Sequence, residues 1–257
     1  MYFYFLIILS SVFVSACSSS QKNSAKLDKA VYLYDFVDPS GSYILRRTLE
    51  HKKNTNQFEL KAEIYGLVAP QKLVEKTLSI SDLGYIKKAK QRIPSMRPLS
   101  SQHIVWLEGK QYQTSSVLNN KNKELSVTTK SPEAKWNGTE KILVPRGSGA
   151  YCYFSQLVEC VAYTGFFERA KKDNTQELFV KVIWDGYPFF QDQYLNIPGE
   201  VFADAVFRFE GKTDQDYFAY QLEIVGQIIL YHLDNDFNLV NMFWISQGLN
   251  ITRREKK

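Results

Sequence analysis

The sequence predicts a mainly β protein with one central helix. The expected sheet is antiparallel and strongly curved, a half-barrel wrapped around or covered by that helix. Three observations predict it. From about residue 30 onward, apolar and polar side chains alternate in run after run, the mark of strands with one buried face. The chain holds 16 Tyr and 17 Phe in 257 residues, and aromatic side chains suit a pleated surface. Only one stretch, about residues 153–172, carries the period of an amphipathic helix. A sheet that buries one face needs a cover for it, and no other stretch offers one.

Taken in order, the chain opens with an apolar run from Tyr2 to Val14, broken only by Ser10 and Ser11. It is too short to span a bilayer, which takes about 20 residues. It has the length of a signal-peptide core. The run ends Val14-Ser15-Ala16-Cys17. Small residues before a cleavage point let the chain enter a peptidase site, and the residue after them is cysteine. This arrangement resembles the lipobox of bacterial lipoproteins. The resemblance implies removal of residues 1–16 and lipidation of Cys17 as the first mature residue. Ser18 next to it resembles the outer-membrane class, so the expected location is the outer membrane, facing the periplasm. The pattern departs from the family in one respect: no Lys or Arg precedes the apolar core. The polar stretch from Ser18 to Lys29 has little to bury and reads as a tether. Twelve extended residues reach about 40 Å. Residues 17–29 are therefore the lipidated cysteine and tether, and 30–257 a single β domain.

Asp38-Pro39-Ser40-Gly41 is the first turn, and Tyr43, Leu45 and Leu49 share a side of the next strand. Phe58 to Ile64 alternates cleanly, and Leu73 to Ile80 is a further strand, broken at Asp82-Leu83-Gly84. Residues 85–100 are basic and contain Pro94 and Pro98, which strand interiors reject. They predict a loop or sheet edge, with Lys87, Lys88, Lys90 and Arg92 as candidates for lipid-phosphate contacts. Strands resume at 103–107, 111–118 and 124–129, and Asn137-Gly138 marks another turn.

On the helix, Phe154, Leu157, Val158 and Val161 fall on one face, which we expect to meet the inner side of the sheet. Gly165 interrupts it. With Cys17 lipidated, Cys152 and Cys160 remain as a pair, and an even count in an exported protein suggests a disulfide. Eight residues of straight helix would separate them by about 12 Å, beyond the roughly 4.4–6.8 Å a bridge tolerates. Either the helix does not run straight from Cys152, or both thiols are free. After the helix, strands return, and Tyr217 to Tyr231 reads as one long strand bending at Gly226, with Ile228 and Leu230 on its apolar face.

Complete catalytic motifs are missing. His51, His103 and His232 lack zinc spacing. Asp234, Asp236 and Asn238 open like a calcium loop, but Leu239 and Ile245 stand where Gly and Glu are needed. Gly147-Ser148-Gly149 lacks the spacing of a hydrolase elbow. Glu159, Glu168, Asp185, Asp192 and Asp204 are carboxylates that sequence cannot bring together. The expectation is a non-enzyme without metal or cofactor and without a nucleic-acid partner, since the one long basic stretch lies in an exported chain. In layout, residues 30 to 252 resemble the half-barrels of periplasmic lipoprotein-carrier proteins, where sheet and helical lid enclose an apolar cavity. That resemblance implies an anchored envelope protein that binds a lipid or other apolar ligand. The alternative is a structural lipoprotein that joins an envelope protein partner and holds no small molecule.

Overall fold

The computed structural model describes residues 29–88, 91–145, 150–189 and 200–255. Cys17, the signal segment and the tether up to residue 28 lie outside the described residues. So do Lys90, Gly147-Ser148-Gly149 and Asp192.

Eight strands precede the helical segment: β1 Lys29–Asp38, β2 Gly41–Lys52, β3 Gln57–Gly66, β4 Leu73–Lys88, β5 Gln91–Leu107, β6 Lys110–Asn119, β7 Glu124–Lys130 and β8 Gly138–Leu143. A ninth, β9 Ala150–Tyr153, leads directly into it, and six follow it: β10 Glu177–Ile183, β11 Phe202–Lys212, β12 Phe218–Ile224, β13 Gln227–Leu233, β14 Leu239–Trp244 and β15 Leu249–Arg253. Between β9 and β10 lie a 3-10 turn, Phe154–Gln156, and two helices, α1 Leu157–Tyr163 and α2 Phe166–Lys172. All fifteen strands form one sheet, ordered β8-β7-β6-β5-β4-β3-β2-β1-β15-β14-β13-β12-β11-β10-β9. The sheet is not closed into a barrel: β8 and β9 stand at its two ends. Two meanders run outward from a central seam, where Tyr34 to Val37 pair with Arg253 to Asn250. β9 also lies alongside β5, far from it in strand order.

Four expectations need correction. The pair β9–β10 is parallel, not antiparallel. The two helices form the crossover between them, and a crossover of that length returns the chain in the same direction. The helix is not continuous over 153–172. Gly165 stands at φ 72°, and this left-handed residue ends α1 and starts α2 on a new axis. Arg169 caps the break, its Nη1 donating to the carbonyl of Thr164 at 2.8 Å.

Of the two readings of 85–100, the loop is overturned and the sheet edge stands: the described part is strand with one unpartnered edge. β4 runs through Asp82-Leu83-Gly84 to Lys88, and β5 returns from Gln91, with Arg92 opposite Lys87. Pro94 and Pro98 are tolerated because β5 pairs with β6 only from Ser100 to Leu107. Before Ser100 one edge of β5 has no strand partner, so a missing N–H breaks no ladder there. Arg92 lies over the Tyr85 ring, 4.9 Å from its centroid.

Residues 217–231 are not one bent strand. Val225 (φ 50°) and Gly226 (φ 70°) form a two-residue hairpin, with Ile224 opposite Gln227. Two turn residues flip the phase of alternation. Even-numbered Phe218, Tyr220, Leu222 and Ile224 point inward on β12, while odd-numbered Ile229, Tyr231 and Leu233 do so on β13. Ile228 is left 46% exposed.

Leu157, Val158 and Val161 are buried in a core shared with Tyr34, Leu45, Tyr220 and Trp244, so α1 touches both meanders. Phe154 is half-buried, its ring 4.8 Å from Trp184 and 5.7 Å from Trp244. α2 buries Phe166 and Phe167, and the Phe167 ring lies 4.5 Å from that of Tyr220.

Candidate functional site

The inner faces of the two meanders differ in chemistry. From β11 to β14 the inward residues are apolar or aromatic, among them Phe207, Leu222, Ile229 and Trp244. On β4, β5 and β6 the buried inward residues include a polar band, Thr77, Ser79, Ser81, Ser101, His103, Thr114 and Ser116, flanked in the same phase by Leu83, Val105, Tyr112 and Leu118. Leu78 and Ile80, the apolar members of Thr77-Leu78-Ser79-Ile80-Ser81, face outward and stay half-buried. One meander thus carries a band of buried hydroxyls on its inner face, which β11 to β14 lack. The sequence signal for it was this short alternation, and the apolar residues concealed its sense.

Buried hydroxyls need partners, and Asp185 gathers several of them. It sits in the turn after β10. Its Oδ1 accepts from Ser79 Oγ at 2.8 Å and Ser155 Oγ at 3.0 Å, and from the Ser101 hydroxyl; Oδ2 accepts from the Ser155 backbone N–H at 2.8 Å. Burial pushes the Asp185 carboxyl above its ordinary range, against the pull of these donors. Gln156 adds a strap: its Nε2 donates to the Ser79 carbonyl, and its Oε1 accepts from Ser81 Oγ, both at 2.6 Å. The start of the helical segment is thereby fixed to β4. Arg47 on β2 holds the same segment from the other side. Its Nη2 donates to Glu159 Oε2 at 3.1 Å and to the Ser155 carbonyl at 3.0 Å.

Between these straps and the seam lies a cavity of about 360 Å³. Its apolar wall includes Phe36, Leu45, Leu157, Val158, Met242 and Ile251. Its polar wall carries Asp38, Arg47, Glu75, Thr77, His103 and Asp185. Glu75 Oε1 stands 3.8 Å from His103 Nδ1, which shares a 2.9 Å hydrogen bond with Thr77 Oγ1. The Glu75 side chain is 27% exposed, and it faces inward in phase with Thr77 and Ser79, so that exposure opens on the cavity. Burial, with Asp38 and Asp185 adding, pushes Glu75 up to about 7. Burial pulls His103 down to about 4. Near pH 5.5 both groups are therefore neutral.

Of the residues singled out in the sequence, Cys17 lies outside the described part. Cys152 and Cys160 are bridged, with their Cα atoms 6.0 Å apart. Cys152 belongs to β9, and the chain turns before α1 begins, so no straight helix separates them. Leu157 and Val158 line the cavity, as does Phe154, whereas Val161 is fully buried behind it. Glu159 pairs with Arg47, Glu168 with Lys171 at 3.6 Å and Asp204 with Lys181 at 2.5 Å. Asp234 organises the hairpin before β14, accepting from the N–H groups of Asp236 and Asn238. Of the three histidines, His103 lines the cavity; His51 is on β2 and His232 on β13. Among the described residues no three His, Cys, Asp or Glu side chains are placed to hold a metal ion, and no helix is long and apolar enough to cross a membrane. Compared with known proteins, the chain matches no family model, no curated protein and no solved structure.

Proposed function

We propose that this protein is an envelope lipoprotein that holds a lipid or other apolar ligand in the cavity between α1 and the sheet, without catalysing a reaction. The observation that carries the reading is the cavity itself. At about 360 Å³ it falls within the range of small-molecule sites, roughly 300–1,000 Å³, and it combines an apolar wall with a few convergent polar groups, as such sites do. The half-barrel reading of the sheet draws support from the placement of β9 alongside β5 and from a core that unites both meanders. Attachment through Cys17 rests on Val14-Ser15-Ala16-Cys17. Native mass spectrometry of protein taken from its own membrane fraction tests the reading. A bound mass in roughly one-to-one ratio is expected, lost when Leu157→Trp fills the cavity. Protein that carries no extra mass and takes up no apolar probe defeats it.

One observation favours a second reading, an interaction lipoprotein in an envelope complex. Val31, Leu33 and Val37 project from the outer face of β1 and are 39%, 43% and 40% exposed. Such a row at the middle of a sheet can receive a protein partner. Cross-linking from position 33 in intact cells separates the readings: a partner adduct supports the second, and its absence leaves the row as ordinary surface.

A further inference from the structure

The polar wall of the cavity narrows the class of ligand, and the inference rests on the ligand-binding reading above. Among the described residues five with Asp, Glu, Arg or His side chains line the space: Asp38, Arg47, Glu75, His103 and Asp185. Three are acids and one is a guanidinium. That guanidinium is already engaged by Glu159 Oε2 and the Ser155 carbonyl. Among the described residues no lysine lines the cavity. An anionic head would therefore meet like charges and find its one cation occupied. A cationic head would meet Glu75, whose carboxyl accepts no hydrogen bond from a described residue and stands 3.8 Å from the His103 ring. Like-charge juxtaposition in a water-poor site discriminates strongly between heads of opposite sign. The rest of the lining is largely apolar, with Phe36, Leu45, Leu157, Val158, Met242 and Ile251, and suits a hydrocarbon tail rather than a second charged group.

We propose that the cavity takes a single-chain amphiphile with a cationic head, its tail against Leu157, Met242 and Ile251 and its head facing Glu75. The volume, at the lower end for ligand sites, favours one chain over two. The groups that face Glu75 are Asp38 at the end of β1, Thr77 on its own strand, His103 on β5 and Asp185 after β10, while β3 sets Ile64 opposite it. With Glu75 near 7, its charge is present at pH 8 and gone at pH 5.

The test uses the full chain carrying Cys17→Ser, which needs no detergent, and titration calorimetry with decylamine, decanoate and decyl glucoside below their micelle concentrations. At pH 8 decylamine should bind at least tenfold more tightly than decanoate. Its advantage over neutral decyl glucoside should shrink severalfold at pH 5. Glu75→Gln should reduce the amine-over-glucoside preference to less than threefold at pH 8 while moving glucoside affinity less than twofold. If Glu75→Gln does not fold, the pH comparison on the otherwise unaltered chain decides. Decanoate binding as tightly as decylamine at pH 8, or a preference indifferent to pH, overturns the head assignment and leaves the cavity reading standing. Failure of all three to bind overturns both.

Discussion

Glu75 and His103 titrate in opposite senses, and their effects on folding oppose each other. Glu75 has a folded value of about 7 against an ordinary 4.5. The folded state keeps a proton that the unfolded chain releases, so this contribution is full below about 4.5 and is lost as pH rises to 7. His103 has a folded value of about 4 against 6.5. Its contribution is full above 6.5 and is lost as pH falls toward 4. Between pH 4.5 and 6.5 the two slopes cancel, and the pair should give a plateau of stability there. Glu75→Gln removes the loss on the alkaline side. It should stabilise the protein at pH 8 by on the order of 2–3 kcal/mol and do little at pH 4.5, since one pKa unit is worth about 1.4 kcal/mol. Urea unfolding at the two pH values measures this; an equal change at both would mean that Glu75 is not held in its neutral form. At Asp185 the prediction is a loss. Asp185→Asn places an N–H₂ among donors already aimed at the carboxylate from Ser79, Ser101 and Ser155, which should cost about 1–3 kcal/mol. Little of this was legible in the sequence. Asp185 stood out only as a carboxylate near a strand end, and Glu75 not at all, because what makes them unusual is the company that register and a turn supply. The strand from Leu73 to Ile80 was legible, but nothing in its alternation told that Thr77 and Ser79, not Leu78 and Ile80, face the core.

Strands with clean alternation and polar turns were legible as elements: β3, β6 and β7 start and stop within a residue or two of where period-two patterning puts them. The failures share one cause. Proline in β5 and glycine in β12–β13 were read as local punctuation, but the meaning of each depends on which edge of the strand has a neighbour. Pro94 breaks no ladder because the edge of β5 away from β4 has no partner there, and Gly226 closes a hairpin because Val225 also takes a positive φ. The helical face was legible for Leu157, Val158 and Val161, because apolar residues at 3.6-residue spacing have few other uses, whereas Phe154 falls in the 3-10 turn before α1. Leu157, 1% exposed, should lose about 2–5 kcal/mol as Leu157→Ala, a range set by how far the site collapses. Chemical denaturation measures it, and a cost below 1 kcal/mol would mean that α1 is not held by this face. The bridge from β9 to α1 closes a short loop. Replacing both Cys152 and Cys160 by Ser should cost about 2–3 kcal/mol. Hydrogen exchange should then rise first in α1, which the bridge ties to β9. Uniform acceleration across the sheet would show that the bridge steadies the whole molecule instead.

At the level of the whole molecule, the decisive contact joins the two ends of the domain. Sequence patterning gave no sign of it, because β1 and β15 look like any other pair of strands and lie more than 200 residues apart. Short turns make each meander readable from neighbour to neighbour, but no turn connects β1 to β15. The cavity nevertheless depends on that seam: Phe36 and Leu45 come from one meander, Met242 and Ile251 from the other. Ile251 is 7% exposed, sits opposite Phe36 on β1 and Met242 on β14, and lines the cavity. Beside it, Arg254 extends the seam, its backbone N–H donating to the Leu33 carbonyl at 2.8 Å and its guanidinium pairing with Asp35. The two contacts differ in worth. The Arg254–Asp35 pair is exposed, so Arg254→Ala should cost under about 1 kcal/mol. Ile251→Pro removes a ladder N–H between two paired strands and buried apolar contact at once, and should cost about 3 kcal/mol or more. If the seam holds the meanders together, Ile251→Pro will also abolish uptake of an apolar probe and turn one cooperative unfolding transition into two. A single transition with probe binding intact would mean that α1 alone, touching both halves through Leu157 and Val158, suffices to join them.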